Sequence, residues 1–204
     1  MMLSWWQIVS MKKHLPENRN RVLGRERLRR QYQPEHVRIL FIGEAPPASG
    51  RFFYRADSGL YRAVRDTFIR ALPQLDERNF LKSFCSLGCY LVDLCGKPVD
   101  RLSPKDRKQA CVKGEVRLSR VIRQLRPQAM VTLVRSIAPN VKRAQRQTKW
   151  DGPYIEVPYP GRWLRHRIEF KKRLTSFLQN LNSIDGENSS RKLAGHGRVL
   201  EETV

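Results

Sequence analysis

Five side chains that can take part in chemistry stand directly at or after the ends of apolar segments. They are the carboxylates of Glu44 and Asp93, the phenol of Tyr159 and the guanidinium groups of Arg135 and Arg162. A carboxylate can act as a general acid or base, a phenol can donate a hydrogen bond, and arginine binds phosphate through a planar fork of donors. Brought together, these groups would suit acid–base chemistry on an anionic ligand.

The elements around these residues predict how they are positioned. Apolar runs predict strands at 37–42, 88–94, 129–134 and 154–157. Helical periodicity between them predicts helices at 59–72, 77–84, 104–125, 136–147 and 164–181. This alternation implies an α/β protein, a three-layer α/β/α fold with a central, mostly parallel four-stranded sheet. Because ligands of open parallel sheets bind outside the carboxyl ends of the strands, the five side chains should converge on one rim.

The net charge points to a polyanionic partner. The chain of 204 residues has 40 lysines and arginines against 19 aspartates and glutamates, a formal net charge of +21. Such an excess repels itself in the folded state and favours binding to nucleic acid, with a membrane surface or a ribosome-like assembly as alternatives. A hydrophobic content of 40% excludes a collagen-like or fully disordered chain. No apolar run reaches the ~20 residues of a membrane span.

Composition divides the chain into three regions. Residues 37–182 should form one α/β domain, preceded by a basic helical arm at 1–36 and followed by a polar tail at 183–204. We expect the tail to be disordered, because it cannot bury enough apolar surface. The arm contains Arg19, Arg21, Arg25, Arg27, Arg29 and Arg30. These arginines either form a solvated helix face or contact nucleic-acid phosphates, and both alternatives stay open.

The cysteines predict a reducing compartment. Cys85, Cys89, Cys95 and Cys111 are scattered, and the chain shows no secretory signal pattern. We therefore expect free thiols in a cytoplasmic protein, nucleoid-associated if bacterial. The four histidines show no metal-ligand spacing with the cysteines, so no metal site is expected. We expect a monomer that binds double- or single-stranded DNA and no membrane.

Several short motifs resemble those of a known family. Gly43-Glu44-Ala45-Pro46, after the first strand, resembles the first motif of the uracil-DNA glycosylase superfamily and is closest to the GEAPG form of its iron–sulfur, thermophile-type branch. Gly50-Arg51-Phe52-Phe53 is similar to the G-R-P-F motif of that branch. Segments 90–98 and 158–165 stand where the branch has its Y-I-T-N-V-V-K-C-R-P and H-P-x-x-L-R motifs. The resemblance covers residues 37–182 in the family's order.

The resemblance implies a uracil-DNA glycosylase-like protein. Such a base-flipping enzyme hydrolyses the N-glycosidic bond of a damaged or deaminated base in DNA. Glu44 and Tyr159 take the catalytic positions, and Gly43, Ala45, Pro46, Phe53 and Asp93 take those that bind the base. Nucleic-acid contacts are expected from Arg51, Arg135, Arg162, Arg165, Arg25 and Arg29. The alternative is a catalytically inactive nucleic-acid-binding module of the same fold.

Two of these residues have a second interpretation. Glu44 either polarises water and stabilises a cationic sugar, or only caps a loop or a helix end. Phe53 either stacks on the flipped base or packs in the core. The sequence leaves both alternatives open.

Three departures from the family pattern bear on activity. Asp93 stands where the family has asparagine, so either the substrate is not uracil, or Asp93 is protonated, or the alignment is shifted. Tyr159 replaces a histidine, and a pKa of about 10 makes a phenol a poor acid–base group. Cys95 and Cys111 match only half of the branch's iron–sulfur ligand set, so we expect no cofactor.

Overall fold

The computed structural model describes residues 17–196, with side-chain burial defined for 22–181. The helices are α1 Glu17–Gln31, α2 Gly59–Ala71, α3 Phe80–Ser86, α4 Pro104–Leu125, α5 Ala138–Thr148 and α6 Leu164–His196. The strands are β1 Ile39–Gly43, β2 Cys89–Asp93, β3 Ala129–Thr132 and β4 Tyr154–Glu156. Short 3-10 turns at Phe53–Arg55 and Arg135–Ile137 precede α2 and α5.

All four strands pair in parallel, in the order β2-β1-β3-β4. β1 lies between β2 and β3, with Gly43 opposite Asp93 and Ile42 opposite Thr132. α4 packs against α5, and α2 packs against α6. The predicted three-layer α/β/α fold with a central parallel sheet is confirmed, and every strand presents its carboxyl end to the same edge.

Apolar side chains bury the sheet on both faces. Every residue of β1, β2 and β3 is buried, as expected for near-continuous apolar strands in a parallel sheet. Phe41 packs against Phe68 of α2 and Phe84 of α3, with ring centroids 5.9 and 5.3 Å apart. The ring of Phe84 also lies 5.4 Å from that of Phe53, so the aromatic core extends into the region after β1.

Side-chain caps mark the beginnings of α2 and α4. Ser58 Oγ accepts a hydrogen bond from Tyr61 N at 3.1 Å at the start of α2. Ser103 Oγ accepts one from Asp106 N at 3.2 Å, and Pro104 occupies the first turn of α4. Each cap satisfies an N–H group that has no partner within its helix. Because both helices follow strands, their first turns lie at the carboxyl edge of the sheet.

The last helix differs from the expected tail. The sequence predicts disorder from residue 183, but α6 continues to His196. Extending a helix that is already anchored adds one hydrogen bond per residue and needs no new nucleus. Buried Phe170, Leu174 and Leu178 supply that anchor. Residues 1–16 of the arm and 197–204 of the tail lie outside the described residues.

Gly114 lets α4 approach the segment that follows β2. A Cβ at this position would lie 2.5 Å from the carbonyl oxygen of Leu94 and 3.0 Å from its Cγ. Gly24 of α1 differs, because a Cβ there would meet no atom within 4 Å. A glycine in the middle of α4 costs intrinsic helix stability but permits this close contact.

We predict that Gly114→Ala destabilises the protein although alanine is the better helix former. The obstructing atom is backbone, so we expect the upper part of the overpacking cost of about 1–3 kcal/mol, against roughly 1 kcal/mol gained in helix propensity. Gly24→Ala is the matched control and should stabilise by about 0.5–1 kcal/mol. Urea unfolding measures both variants. Equal stabilisation by the two substitutions would contradict the close packing of α4.

Candidate active site

A cavity of about 310 Å³ opens at the carboxyl ends of β1 and β2. Gly43, Glu44, Phe53, Asp93 and Tyr159 line it. Its other lining residues are Ala45, Pro46, Pro47, Phe52, Ser58, Leu60, Leu91, Asp100, Arg107 and Val134. The structure therefore brings together both residues predicted to be catalytic and all the residues predicted to bind a base.

Gly43 makes room for the carboxylate of Asp93. The two residues are paired in the parallel register of β1 and β2. A Cβ at position 43 would lie 2.8 Å from Asp93 Oδ1. The pairing continues past the strands, where Leu94 N donates to Gly43 O and Cys95 N donates to Glu44 O, both at 2.8 Å. This backbone pairing holds Glu44 and Asp93 on adjacent strand ends.

A buried ion pair partly neutralises Asp93. Its side chain is 8% exposed, and Arg29 of α1, which is 4% exposed, donates from Nη2 to Asp93 Oδ2 at 3.0 Å. Arg117 donates to the backbone carbonyl of Asp93. Burial raises the pKa of Asp93 above its ordinary value, and the charges of Arg29 and Arg117 oppose this rise. Arg29 engages Oδ2, while Oδ1 lies against Gly43.

Arg29 and Arg25 do not form a solvated helix face. Arg29 also pairs with Glu26 at 3.1 Å, and its guanidinium lies 5.7 Å from the ring centroid of Phe52. Arg25, one turn earlier, is also buried. The side chain of Arg29 is therefore buried and held by two carboxylates, and its contact with phosphate stays a prediction.

Arg107 holds Glu44 in place. Arg107 Nε donates to Glu44 Oε1 at 2.6 Å, and Nη2 donates to Oε2. This two-point contact fixes the plane of a carboxylate whose side chain is 12% exposed. Arg107 was not predicted from the sequence. Its position offered a signal, since the first turn of a helix that follows β2 reaches the edge where the strands end.

Phe53 is both a core residue and a wall of the cavity. Its ring centroid lies 5.1 Å from that of Tyr54, 5.8 Å from that of Tyr61 and 5.4 Å from that of Phe84. The residue is almost fully buried, yet it borders the cavity. Core packing and base stacking are therefore compatible, because its neighbours hold the ring beside the space that a ligand would fill.

Tyr159 lies at the cavity in the turn after β4. It is 47% exposed, and its carbonyl oxygen accepts a hydrogen bond from Gly161 N at 2.9 Å. Partial burial raises the pKa of Tyr159, and the charge of Asp100 adds to the rise. The phenol is therefore neutral at physiological pH and can donate a hydrogen bond, whereas a histidine could also exchange a proton.

The other arginines predicted to bind nucleic acid are exposed and lie outside the cavity lining. Arg51 and Arg162 are exposed, and Arg135 pairs with Glu169. The guanidinium of Arg165 lies 5.9 Å from the ring centroid of exposed Trp163. These positions leave the side chains accessible to a large anionic partner.

The cysteines divide between the two ends of β2. Cys95 and Cys111 are buried near the cavity with their Sγ atoms 3.9 Å apart, and Cys111 Sγ lies 3.9 Å from Glu44 Oε1. Burial raises the pKa of Cys95 to about 12 and also raises that of Cys111. Cys89 begins β2 at the opposite end, roughly 13 Å along the strand. A four-iron cluster requires four thiolates around one point, and the cysteines of the described residues are not grouped in this way.

The fold and the cavity define an α/β protein with a pocket that is lined by carboxylates and lies at the carboxyl edge of a parallel sheet. Residues 30–182 match the Uracil DNA glycosylase superfamily, and the chain belongs to this superfamily. The resemblance carried by the motifs is thereby confirmed at the level of the superfamily. No curated protein matches the chain. None of the described helices combines the length and hydrophobicity needed to cross a bilayer.

We predict that Arg29→Gln destabilises the protein by about 3–5 kcal/mol, because it leaves the Asp93 carboxylate buried without its cation. Arg27→Gln changes an exposed arginine of the same helix and should alter stability by less than about 0.5 kcal/mol. Urea unfolding at neutral pH measures both variants. If both substitutions changed the free energy of unfolding by a similarly small amount, Arg29 of α1 would not neutralise the charge of Asp93.

The destabilisation by Arg29→Gln should depend on pH. Loss of the cation raises the pKa of Asp93 further above its unfolded value of about 4. A carboxyl group with a raised folded-state pKa stabilises the fold when protonated, and this contribution is lost as the pH rises through that pKa. Because the pKa of Asp93 is already raised in wild type, the deficit relative to wild type should begin to grow above that raised pKa and increase towards neutrality, by at most about 1.4 kcal/mol per pH unit. A deficit that stays constant with pH would contradict this assignment.

Proposed function

We propose that this protein is a DNA glycosylase that flips a damaged or deaminated base into its cavity and hydrolyses the N-glycosidic bond. The observation that carries the proposal is the grouping of Glu44, Phe53, Asp93 and Tyr159 around one cavity in a member of the uracil-DNA glycosylase superfamily. A cavity of about 310 Å³ lies at the lower end of the range of small-molecule sites, as a single base requires. The net charge of +21 supports a polyanionic substrate.

Phe53 provides the stacking wall for the base. Stacking of a base on an aromatic ring contributes about 1–3 kcal/mol. The rings of Tyr54, Tyr61 and Phe84 already hold Phe53 in place, so its binding to the base carries little ordering cost. This rigidity offsets part of the energy needed to unstack the base from DNA.

Glu44 acts on the sugar and on the attacking water. Positive charge develops on the sugar as the glycosidic bond breaks, and a positioned carboxylate stabilises it. Arg107 orients Glu44, and each carboxylate oxygen keeps a second lone pair that can accept a hydrogen bond from water. Tyr159 donates a hydrogen bond to the departing base.

Asp93 selects the base. An ionised carboxylate only accepts hydrogen bonds, so it favours a ring N–H group or an exocyclic amine of the base and repels a carbonyl oxygen such as O4 of uracil. The contact with Arg29 supports the ionised form. We therefore place the substrate among bases that present an N–H group to Asp93 Oδ1.

A catalytically inactive nucleic-acid-binding module is the second candidate. Arg107 engages both oxygens of Glu44, and a half-exposed phenol stands where the family has a histidine. A phenol with a raised pKa releases a proton reluctantly. Both features favour a protein that holds a base without cleaving the bond.

We further propose that the protein works without a cofactor, in the cytoplasm and as a monomer. The motifs are most similar to the iron–sulfur branch, but the separation of Cys89 from Cys95 and Cys111 supports a protein that works without a cluster. The four cysteines are free thiols, which supports a reducing, cytoplasmic environment, on the nucleoid if the source is bacterial. We propose that the protein binds DNA as a monomer.

Base release from oligonucleotides that carry uracil, hypoxanthine, xanthine or an alkylated base tests the activity. Glu44→Gln should lower the rate of the preferred reaction by about 10²-fold or more, because it removes charge but little shape. DNA affinity should stay within about twofold of wild type. Asp66→Asn makes the same acid-to-amide change on the exposed side of α2 and should leave the rate unaltered.

Asp93→Asn should shift the preference towards uracil. The amide oxygen can take the place of Oδ2 beside Arg29, which turns the NH₂ group towards the cavity as a donor for O4. The measurement is the ratio of uracil release to release of the preferred base. An unchanged ratio in an active enzyme would show that Asp93 does not read the base. If neither wild type nor variants release any base while they bind DNA, the inactive binding module is the function.

A further inference from the structure

A second cavity, of about 450 Å³, lies beside the first. Its lining includes Arg25 of α1, Arg51 of the loop after β1, and Arg55 at the end of the first 3-10 turn. Pro47 borders both cavities. The carboxylate in this lining is that of Asp57, whose Oδ1 accepts a hydrogen bond from Phe52 N at 2.6 Å. Guanidinium groups therefore outnumber carboxylates next to the candidate base pocket.

Arg25 is a buried guanidinium that no carboxylate of the described residues contacts directly. It is 7% exposed, and it makes no hydrogen bond or ion pair with any residue of that part. Burial lowers the pKa of Arg25 below its ordinary value. The charges of Asp93 and Glu26 attract Arg25, but both carboxylates are bound by Arg29, at 3.0 and 3.1 Å. Because a buried charge is costly unless it is paired, an unpaired guanidinium that lines a cavity points to an anionic ligand.

Hydrogen bonds shape the loop that carries Arg51. Gly50 has a φ of +81°, a conformation that favours glycine. Arg55 Nη1 donates to Gly50 O at 3.2 Å, and Ala48 N donates to Asp100 Oδ2 at 2.6 Å. Hydrogen bonds therefore hold the loop on both sides of Ser49, and Arg51 follows directly after Gly50.

We propose that the second cavity binds a phosphate group. Guanidinium groups bind phosphate oxygens through paired, charge-assisted hydrogen bonds, and three of them surround this space. That the phosphate belongs to a nucleic-acid strand rests on the function proposed above. A nucleotide whose base enters the first cavity then places a neighbouring phosphate beyond Pro47, in the second. Arg25 thus provides a fixed contact point within the domain.

Neutral phosphate analogues test this contact without catalysis. The probe is a DNA duplex with a central abasic-site analogue, in which one phosphate at a time near that site is replaced by methylphosphonate. At one position of the DNA strand, replacement of the charged phosphate by methylphosphonate should lower the DNA affinity of wild type about tenfold. The same replacement should lower the affinity of Arg25→Gln or Arg51→Gln less than about twofold. Arg70→Gln removes the same charge from the last turn of α2 and should respond as wild type does.

Thermal unfolding gives a readout that does not depend on DNA. Because Arg25 is buried and unpaired, Arg25→Gln should raise Tm in phosphate-free buffer. Inorganic phosphate should then raise the Tm of wild type but not that of Arg25→Gln. A variant of raised Tm also shows that its lower DNA affinity does not come from misfolding.

The outcomes separate this proposal from that of the glycosylase. If methylphosphonate at one position weakens DNA binding by wild type but not by Arg25→Gln or Arg51→Gln, the second cavity binds a phosphate of the DNA strand. This conclusion holds whether or not any base is released. If inorganic phosphate raises the Tm of wild type but not that of Arg25→Gln, and methylphosphonate has no effect on DNA binding, the cavity is a site for a free phosphate compound. The proposal is overturned if wild type and the three variants respond alike to methylphosphonate at every position and inorganic phosphate shifts their Tm values equally.

Discussion

Asp93 ends a buried strand, and its carboxylate has to be accommodated where water is excluded. Arg29 meets that requirement from α1, 64 positions earlier in the chain, by a hydrogen bond of 3.0 Å. The pair joins the basic helix to the sheet and buries Arg25 one turn away. Both cavities therefore depend on one ion pair. The first contains its carboxylate, and the second contains an arginine that the docking of α1 has buried.

Parallel strand pairing gives the first cavity its rigid geometry. The register that sets Gly43 opposite Asp93 continues through the backbone bonds of Leu94 and Cys95. Arg107 then fixes the plane of Glu44 from the first turn of α4. A site built in this way would lose little conformational freedom on binding the proposed base, which is the condition for electrostatic stabilisation of a developing charge.

Charge is distributed unevenly around the site. The carboxylates of Glu44, Asp93 and Glu169 each pair with an arginine, so they do not repel a phosphate backbone as free acids would. Arg51 and Arg162 are exposed, and each lies within three positions of a cavity-lining residue in the sequence. In a chain with a net charge of +21, these acids are thus paired with arginines while other arginines stay exposed at the surface.

The amino-acid sequence by itself determined the architecture and the convergence of Glu44, Asp93 and Tyr159 at the first cavity, but not the presence of Arg107 or the absence of Arg135 and Arg162 from its lining. Hydrophobic periodicity is a local property, so runs such as 37–42 specify buried strands, and strand–helix alternation then places Glu44, Asp93 and Tyr159 at one edge. Tertiary structure alone decided the partners: Arg29 with Asp93, Arg107 with Glu44, and Cys95 near Cys111 rather than Cys89. Such contacts join side chains far apart in the chain, and they follow from how helices pack on the sheet. No local pattern distinguishes an arginine that will be buried from one that will remain in solvent.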